Sequence, residues 1–242
     1  MDGMNLNLKE LLKAGAEEFS ITLEDSRIDK FLKYKDILIE WNQKINLTAI
    51  EDDRDVIIKH FIDSLSIVPY IREKKASIVD IGTGAGFPGI PLKIVCEDLK
   101  ISLLDSLDKR IKYLEEVIKT LGLREINTFH GRAEDYGAKQ GFREAYDIAV
   151  ARAVANLPVL LEYCLPFVKV GGCFIAMKGS NLEEVENSHK ALEVLGGKIE
   201  EIKELNLPFS DIKRNIVIVR KLRQTPTRYP RKAGKPSKEP LI

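Results

Sequence analysis

The chain has 242 residues, 44% of them apolar, and carries 38 Lys and Arg against 37 Asp and Glu. That length suits one large domain, or one domain with an extension, and the apolar share is too high for general disorder. No run of about 18 apolar residues occurs, which excludes a membrane-spanning helix, and the stretch around Asp2, Lys9 and Glu10 does not read as a secretory signal.

Three helical patterns come first. One covers residues 6–19. The second covers 23–45, with Thr22 as N-cap and Asp25 three residues on. Along it Ile28, Phe31, Leu32, Leu38, Trp41 and Ile45 fall mostly on one face, a stripe that reads as core. The third covers 53–65. Together they predict a helical extension over residues 1–70, packed beside the main domain.

From residue 77 onward short apolar runs alternate with helical patterns. Strands are predicted at 77–81, 101–104, 126–129, 147–151, 173–177, 199–205 and 215–220, and helices at 90–96, 109–121, 157–168 and 181–194. Such alternation predicts an α/β fold with a mostly parallel sheet covered on both faces. The last two strands are too close in sequence for a helical crossover, so they are expected to pair antiparallel. A seven-stranded, Rossmann-like sheet closed that way, over residues 71–222, suits the class I S-adenosylmethionine-dependent methyltransferase fold better than the plain dinucleotide-binding fold.

After Leu222 the chain turns to Pro226, Pro230, Pro236 and Pro240 with many lysines, which argues against an ordered helix over 223–242. Between Lys213 and Lys238 there are ten Lys and Arg and no acid, so the rest of the chain is net acidic. A basic tail on an acidic body suits a polyanionic partner, although a solvated terminus explains the charge equally well. Cys96, Cys164 and Cys173 show no C-x-x-C spacing and read as reduced thiols of a cytoplasmic protein. His60, His130 and His189 lie far apart and predict no metal site.

The most informative run is Val79-Asp80-Ile81-Gly82-Thr83-Gly84-Ala85-Gly86-Phe87-Pro88, a strand that ends on an acid and breaks into alternating glycines. Glycine lets backbone pass close to a ligand, and the amides opening the next helix are expected to face it. Gly84 to Gly89 matches G-x-G-x-x-G, with Asp105 placed for ribose hydroxyls, as in a nicotinamide-dependent oxidoreductase. The frame Asp80-x-Gly82-x-Gly84-x-Gly86 is preferred, because its first glycine directly follows the strand. Asp80 would repel a diphosphate and favour a cofactor bearing a sulfonium and an ammonium.

Asp105 ends the second strand, where its carboxylate can accept from two ribose hydroxyls, or else cap the helix that follows. Ala133 and Glu134 follow the third strand, beside the expected place of an adenine; helix capping by Glu134 or Asp135 competes. Arg152 ends the fourth strand and should face the cleft, as ligands in such sheets lie beyond the carboxyl ends of the strands. A structural salt bridge explains it as well.

With these residues assembled, the chain resembles the bacterial small-subunit ribosomal RNA guanine-N7 methyltransferases, the glucose-inhibited division protein B family. The resemblance runs through Trp41-Asn42-x-x-Ile45-Asn46-Leu47-Thr48, His60-Phe61-Ile62-Asp63-Ser64-Leu65, Phe87-Pro88-Gly89, Leu104-Asp105-Ser106-Leu107-x-Lys109-Arg110, Gly131-Arg132-Ala133-Glu134, Ala151-Arg152-Ala153-Val154-Ala155 and Tyr229-Pro230-Arg231-Lys232-x-Gly234. It implies S-adenosylmethionine held at Gly82, Phe87, Asp105, Ser106, Leu107, Ala133, Glu134 and Arg152, and 7-methylguanosine in 16S ribosomal RNA as product. The partner is then 16S rRNA or the small ribosomal subunit, with no membrane, and a monomer is favoured. Asn46, His60 and Asp63 receive no role; Asn46 and Thr48 either border the substrate cleft or close the loop between helices.

Guanine N7 has a lone pair and no proton to lose, so no catalytic base is expected, and Arg152 is the candidate for orienting the guanine. Arg214, Arg228, Arg231, Lys232 and Lys235 are the candidates for RNA phosphates. Two rival readings stand beside this one: the nicotinamide enzyme, and an RNA-binding protein that kept the fold without the activity.

Overall fold

The computed structural model describes residues 6–242. Seven strands, β1 (Ser77–Ile81), β2 (Lys100–Asp105), β3 (Ile126–His130), β4 (Tyr146–Arg152), β5 (Val168–Lys178), β6 (Gly197–Asn206) and β7 (Lys213–Lys221), form one sheet in the order β3-β2-β1-β4-β5-β7-β6. β1 to β5 run parallel, and β7 inserts between β5 and β6 antiparallel to both. This is the predicted architecture, and every predicted strand run falls inside an observed strand.

The pleat explains why the apolar runs are continuous. Val79, Ala149, Phe174 and Val217 point into one core. Ile78, Leu103, Val150, Ile175 and Ile216 point into the other, since alternate residues face opposite sides of a sheet. Sheet order reverses at β1, with β2 and β3 on one side and β4 and β5 on the other. That topological switch opens a crevice at the carboxyl end of β1, where the glycine turn begins.

The N-terminal layer consists of α1 (Leu8–Glu17), α2 (Asp25–Ile45) and a helical stretch over 53–65 that is π-helical across Ile57–Ile62. Thr22 does not cap α2. The N-cap is Glu24, without a side-chain bond, and the capping box sits on α1, between Asn7 and Glu10. α2 ends on Asn46 in the left-handed conformation, which asparagine tolerates. Phe31, Phe61 and Ile62 share a core with Ile78 and Leu103, so these helices cover one face of the sheet.

Helix ends differ from expectation where a local breaker intervenes. The pattern over 157–168 stops at Cys164 and tightens into a 3-10 turn, Leu165–Phe167, around Pro166. The pattern over 181–194 is two short helices, Glu183–Glu186 and His189–Leu195; between them the buried Ser188 hydroxyl donates back to the Glu184 carbonyl. The tail holds one short helix, Lys235–Lys238, where none was expected. No helix among the described residues is long and apolar enough to cross a membrane.

Candidate active site

Gly82 directly follows β1, and Gly82, Gly84 and Gly86 all have positive φ, at 66°, 59° and 94°. The turn they make spends most of its amides within the protein rather than presenting them to the crevice. Gly82 and Thr83 donate to the Leu104 carbonyl, Gly86 and Phe87 to the Thr83 carbonyl, Gly84 to Asp105 Oδ2, and Gly89 to Asp80 Oδ2. The expectation of free amides at the start of the helix is therefore corrected. The turn shapes a cleft rather than an anion nest, which counts against a diphosphate-bearing dinucleotide.

Asp80 is fully buried beneath the turn. Its Oδ2 accepts from the Thr83 hydroxyl at 2.7 Å and from the Gly89 amide at 2.9 Å, while Oδ1 has no partner. Burial pushes its carboxyl up to about 6, against the pull of those hydrogen bonds. The acid expected to greet a positive cofactor thus braces the turn from below and does not face the open crevice.

A cleft of about 150 Å³ at the carboxyl ends of the strands is lined by Gly82, Asp105, Ser106, Ala133 and Glu134, five of the residues expected to hold the cofactor. Asp105 is 3% exposed. Its Oδ1 accepts from the Leu107 amide at 3.0 Å, and its Oδ2 from the Gly84 amide at 2.9 Å and from Arg110 Nη1 at 3.3 Å. It does not cap the next helix, Asp108–Leu121, whose N-cap is Leu107. Leu107 stands beside the cleft and is 51% exposed. Glu134 is buried and uses Oε1 to accept the Gly234 amide, at 2.8 Å, from the tail.

Val154 and Tyr163 also line this cleft and were missed from sequence. Val154 follows the end of β4 by two residues, a position that could have been read. A Cβ on Gly82 would come within 2.8 Å of its Cγ2. Nothing in the sequence aims Tyr163 there.

Phe87 and Arg152 form a second cluster, with the helical stretch over 53–65. The buried Phe87 ring stacks on His60, centroids 4.5 Å apart and 16° from parallel, and the Arg152 guanidinium carbon lies 4.8 Å from the Phe87 centroid. Arg152 Nη1 donates to the Lys59 carbonyl at 3.1 Å and to Asp63 Oδ2 at 3.0 Å, and Nη2 to His60 Nδ1 at 3.1 Å. His60 Nε2 meets the Thr48 hydroxyl at 2.8 Å. Asp63 Oδ1 accepts from Arg214 Nε at 2.9 Å. His60 and Asp63 are thereby brought onto Arg152, while Asn46 ends α2.

The tail candidates divide in two. Arg231 holds the buried Glu162 carboxylate through Nε, Nη2 and its backbone amide. Arg214 is tied to Asp63. Arg228, Lys232 and Lys235 are exposed, with Lys235 3.6 Å from Glu239. A larger concavity, about 540 Å³, opens at the opposite end of the parallel strands, by the amino ends of β4 and β5, near Tyr70, Arg72 and Gly172. Its Lys169 and Arg220 are already paired with Asp147 and Glu200.

The cleft fits S-adenosylmethionine by its donor set. It has a buried strand-end carboxylate, Asp105, that could accept from ribose hydroxyls, an apolar flank at Val154 with the exposed Leu107 next to Ser106, and a glycine turn whose amides are mostly spent within the protein instead of cradling a phosphate. Comparison with known proteins agrees. The profile of the family described as GidB, rRNA small subunit methyltransferase G, matches residues 27–217. The chain belongs to this family. It is 66% identical over 241 residues to the ribosomal RNA small subunit methyltransferase G of Acetivibrio thermocellus, covering 100% of both chains. It is 55% identical over 236 residues to that of Alkaliphilus metalliredigens, covering 96% of this chain and 98% of the other.

Among solved structures, the fold is similar to TYW2 of M. jannaschii in complex with AdoMet, at a TM-score of 0.51 and 16% identity over 63% of this chain and 72% of that one. It is also similar to a mutant of MtNAS, at a TM-score of 0.55 and 14% identity over 88% and 86%. As a member of the GidB family this chain is an S-adenosylmethionine-dependent methyltransferase.

Proposed function

We propose that this GidB-family enzyme transfers the methyl group of S-adenosylmethionine to N7 of a guanine in 16S ribosomal RNA. The observation that carries the reading is the buried Asp105 carboxylate at the end of β2, facing the same cleft as Gly82 and Glu134, in a chain of this family. Asp105 accepts from the ribose hydroxyls. Ala133 and Glu134 take the adenine edge, with Glu134 Oε2 available for an exocyclic amine because Oε1 is held by Gly234. Ser106 and Leu107 form the rim, and Gly82 gives the close approach.

When bound, S-adenosylmethionine supplies an electrophilic methyl group on a sulfonium. Guanine N7 attacks with a lone pair and has no proton to lose, so the chain's task is alignment and exclusion of water, which is worth several kcal/mol of barrier. Phe87 and Arg152 border the methyl end. Both Nη atoms of Arg152 are committed to the stretch over 53–65, so it orients the guanine as a fixed positive charge rather than as a free fork. Arg228, Lys232 and Lys235 meet RNA phosphates from the tail, and Arg214 and Arg231 contribute less because carboxylates already hold them. We read the protein as a cytoplasmic monomer, its three cysteines unbridged.

The test is methylation of small-subunit RNA with labelled cofactor, followed by nucleoside analysis. Label in 7-methylguanosine is the expected result. Label in another nucleoside, or no binding of S-adenosylhomocysteine by calorimetry, would overturn the reading.

A further inference from the structure

We propose that His60 is a positioning residue of the methyl-transfer site, tying the turn at Thr48 to the Arg152 guanidinium and the Phe87 ring as a neutral Nε2–H imidazole. The proposal rests on the reading above that Phe87 and Arg152 border the reacting end of the cleft.

The tautomer follows from the partners. A guanidinium only donates, so His60 Nδ1, 3.1 Å from Arg152 Nη2, must accept. The ring proton then sits on Nε2 and donates to Thr48 Oγ1 at 2.8 Å. The same hydroxyl oxygen accepts the Ile50 amide at 3.1 Å, so this turn is built around the imidazole.

The backbone serves the same arrangement. The stretch Ile57–Ile62 is π-helical, a form that recurs at functional sites. Within it the Lys59 carbonyl accepts from Arg152 Nη1, while Asp63 takes the other side of that nitrogen. His60 is 9% exposed and its ring lies on Phe87. One imidazole therefore sets the height of the Phe87 ring and the rotation of the Arg152 fork.

The charges around the ring keep it neutral. Arg152 faces it from the end of β4, Arg214 from β7 and Lys59 from its own helical stretch, while Asp63 of that stretch is ion-paired to both arginines. Burial first, and then the Arg152 guanidinium, push its pKa down to about 3.

The test has a spectroscopic arm and a binding arm. The full chain, labelled with 15N-histidine, carries only His60, His130 and His189. Long-range 1H–15N correlation, assigned with His130→Gln and His189→Gln, should show His60 as the Nε2–H tautomer, unchanged from about pH 8 to about pH 5. An imidazolium at the lower pH, or the Nδ1–H tautomer, overturns the proposal.

His60→Phe keeps a ring against Phe87 and offers Arg152 no acceptor. It should weaken S-adenosylhomocysteine binding about tenfold and lower kcat at saturating cofactor by at least as much. His60→Asn, which restores an acceptor near Nδ1, should recover part of both. Thr48→Val should shift both in the same direction by less, and it decides the matter should His60→Phe fail to fold. Wild-type affinity and turnover in His60→Phe, or in Thr48→Val in that event, would sink the proposal and leave the methyl-transfer reading intact. Wild-type protein that ignores S-adenosylhomocysteine would sink that reading itself.

Discussion

Asp80 and His60 are both buried ionisable groups, and they pull stability in opposite directions with pH. Asp80 titrates near 6 in the fold against an ordinary 3.8, so the folded state keeps a proton that the unfolded chain releases at lower pH. Stability through Asp80 therefore falls as pH rises between about 4 and about 6. His60 titrates near 3 against an ordinary 6.5, so the unfolded chain takes up the proton first. Stability through His60 rises with pH between about 3 and about 6.5. Asp80→Asn removes only the first effect. Its denaturant midpoint should climb more steeply than that of the wild type between about pH 4 and about pH 6, and parallel curves would refute the assignment. Asp105 makes a prediction of another kind. Asp105→Ala should weaken S-adenosylhomocysteine binding by about tenfold or more in calorimetry. It should also cost about 1–3 kcal/mol of stability, because the Gly84 and Leu107 amides lose their acceptor.

Between β1 and the helix Gly89–Val95, the glycine turn is held from behind by α2. The Tyr34 hydroxyl donates to the Ala85 carbonyl, and Tyr34 packs on Phe61 and Phe87. Gly86, at φ 94°, has no room for a side chain: a Cβ would come 2.5 Å from Ile90 Cδ1 and 2.7 Å from Tyr34 Oη. Gly86→Ala should destabilise the protein by roughly 2–4 kcal/mol, from left-handed strain plus overpacking. Gly122 closes the helix Asp108–Leu121 at φ 62° with nothing within 4 Å of its Cβ position. Gly122→Ala should cost only about 1 kcal/mol. Equal losses in urea or guanidinium titrations would show that α2 does not press on the turn.

Across the whole molecule, the basic tail is knitted into the fold rather than hung from it. Arg143 donates to the Thr225 and Tyr229 carbonyls, the buried Lys221 donates to the Thr225 hydroxyl, and Arg231 clamps Glu162. Gly234 then reaches Glu134 at the cleft. Glu162 is 1% exposed, so Arg231→Ala strands a buried carboxylate and should cost about 3–5 kcal/mol in a denaturant titration. Arg228→Ala with Lys232→Ala removes two exposed cations. That pair should leave stability unchanged, weaken RNA binding, and reduce the slope of log affinity on log salt by roughly 1–2. A double variant with the wild-type salt slope would remove the tail from the RNA interface.

The strands and the left-handed glycines were legible because their signals are local: apolar runs of strand length, and turns that only glycine makes cheaply. So were Asp105 and Glu134, since topology puts strand ends at the crevice. Partnerships between distant residues were not legible. Asp63 lies 89 residues from Arg152 and 151 from Arg214, and Glu134 lies 100 from Gly234. No local pattern encodes which charge will neutralise which, because that depends on how a π-helical stretch and a returning tail pack on the sheet. Spacing alone suggested a cleft-facing Asp80 and left Arg152 open between the cleft and a salt bridge, and packing decided the partners of both. Burial turned Asp80 under the turn, and the helical stretch over 53–65 claimed both Nη atoms of Arg152.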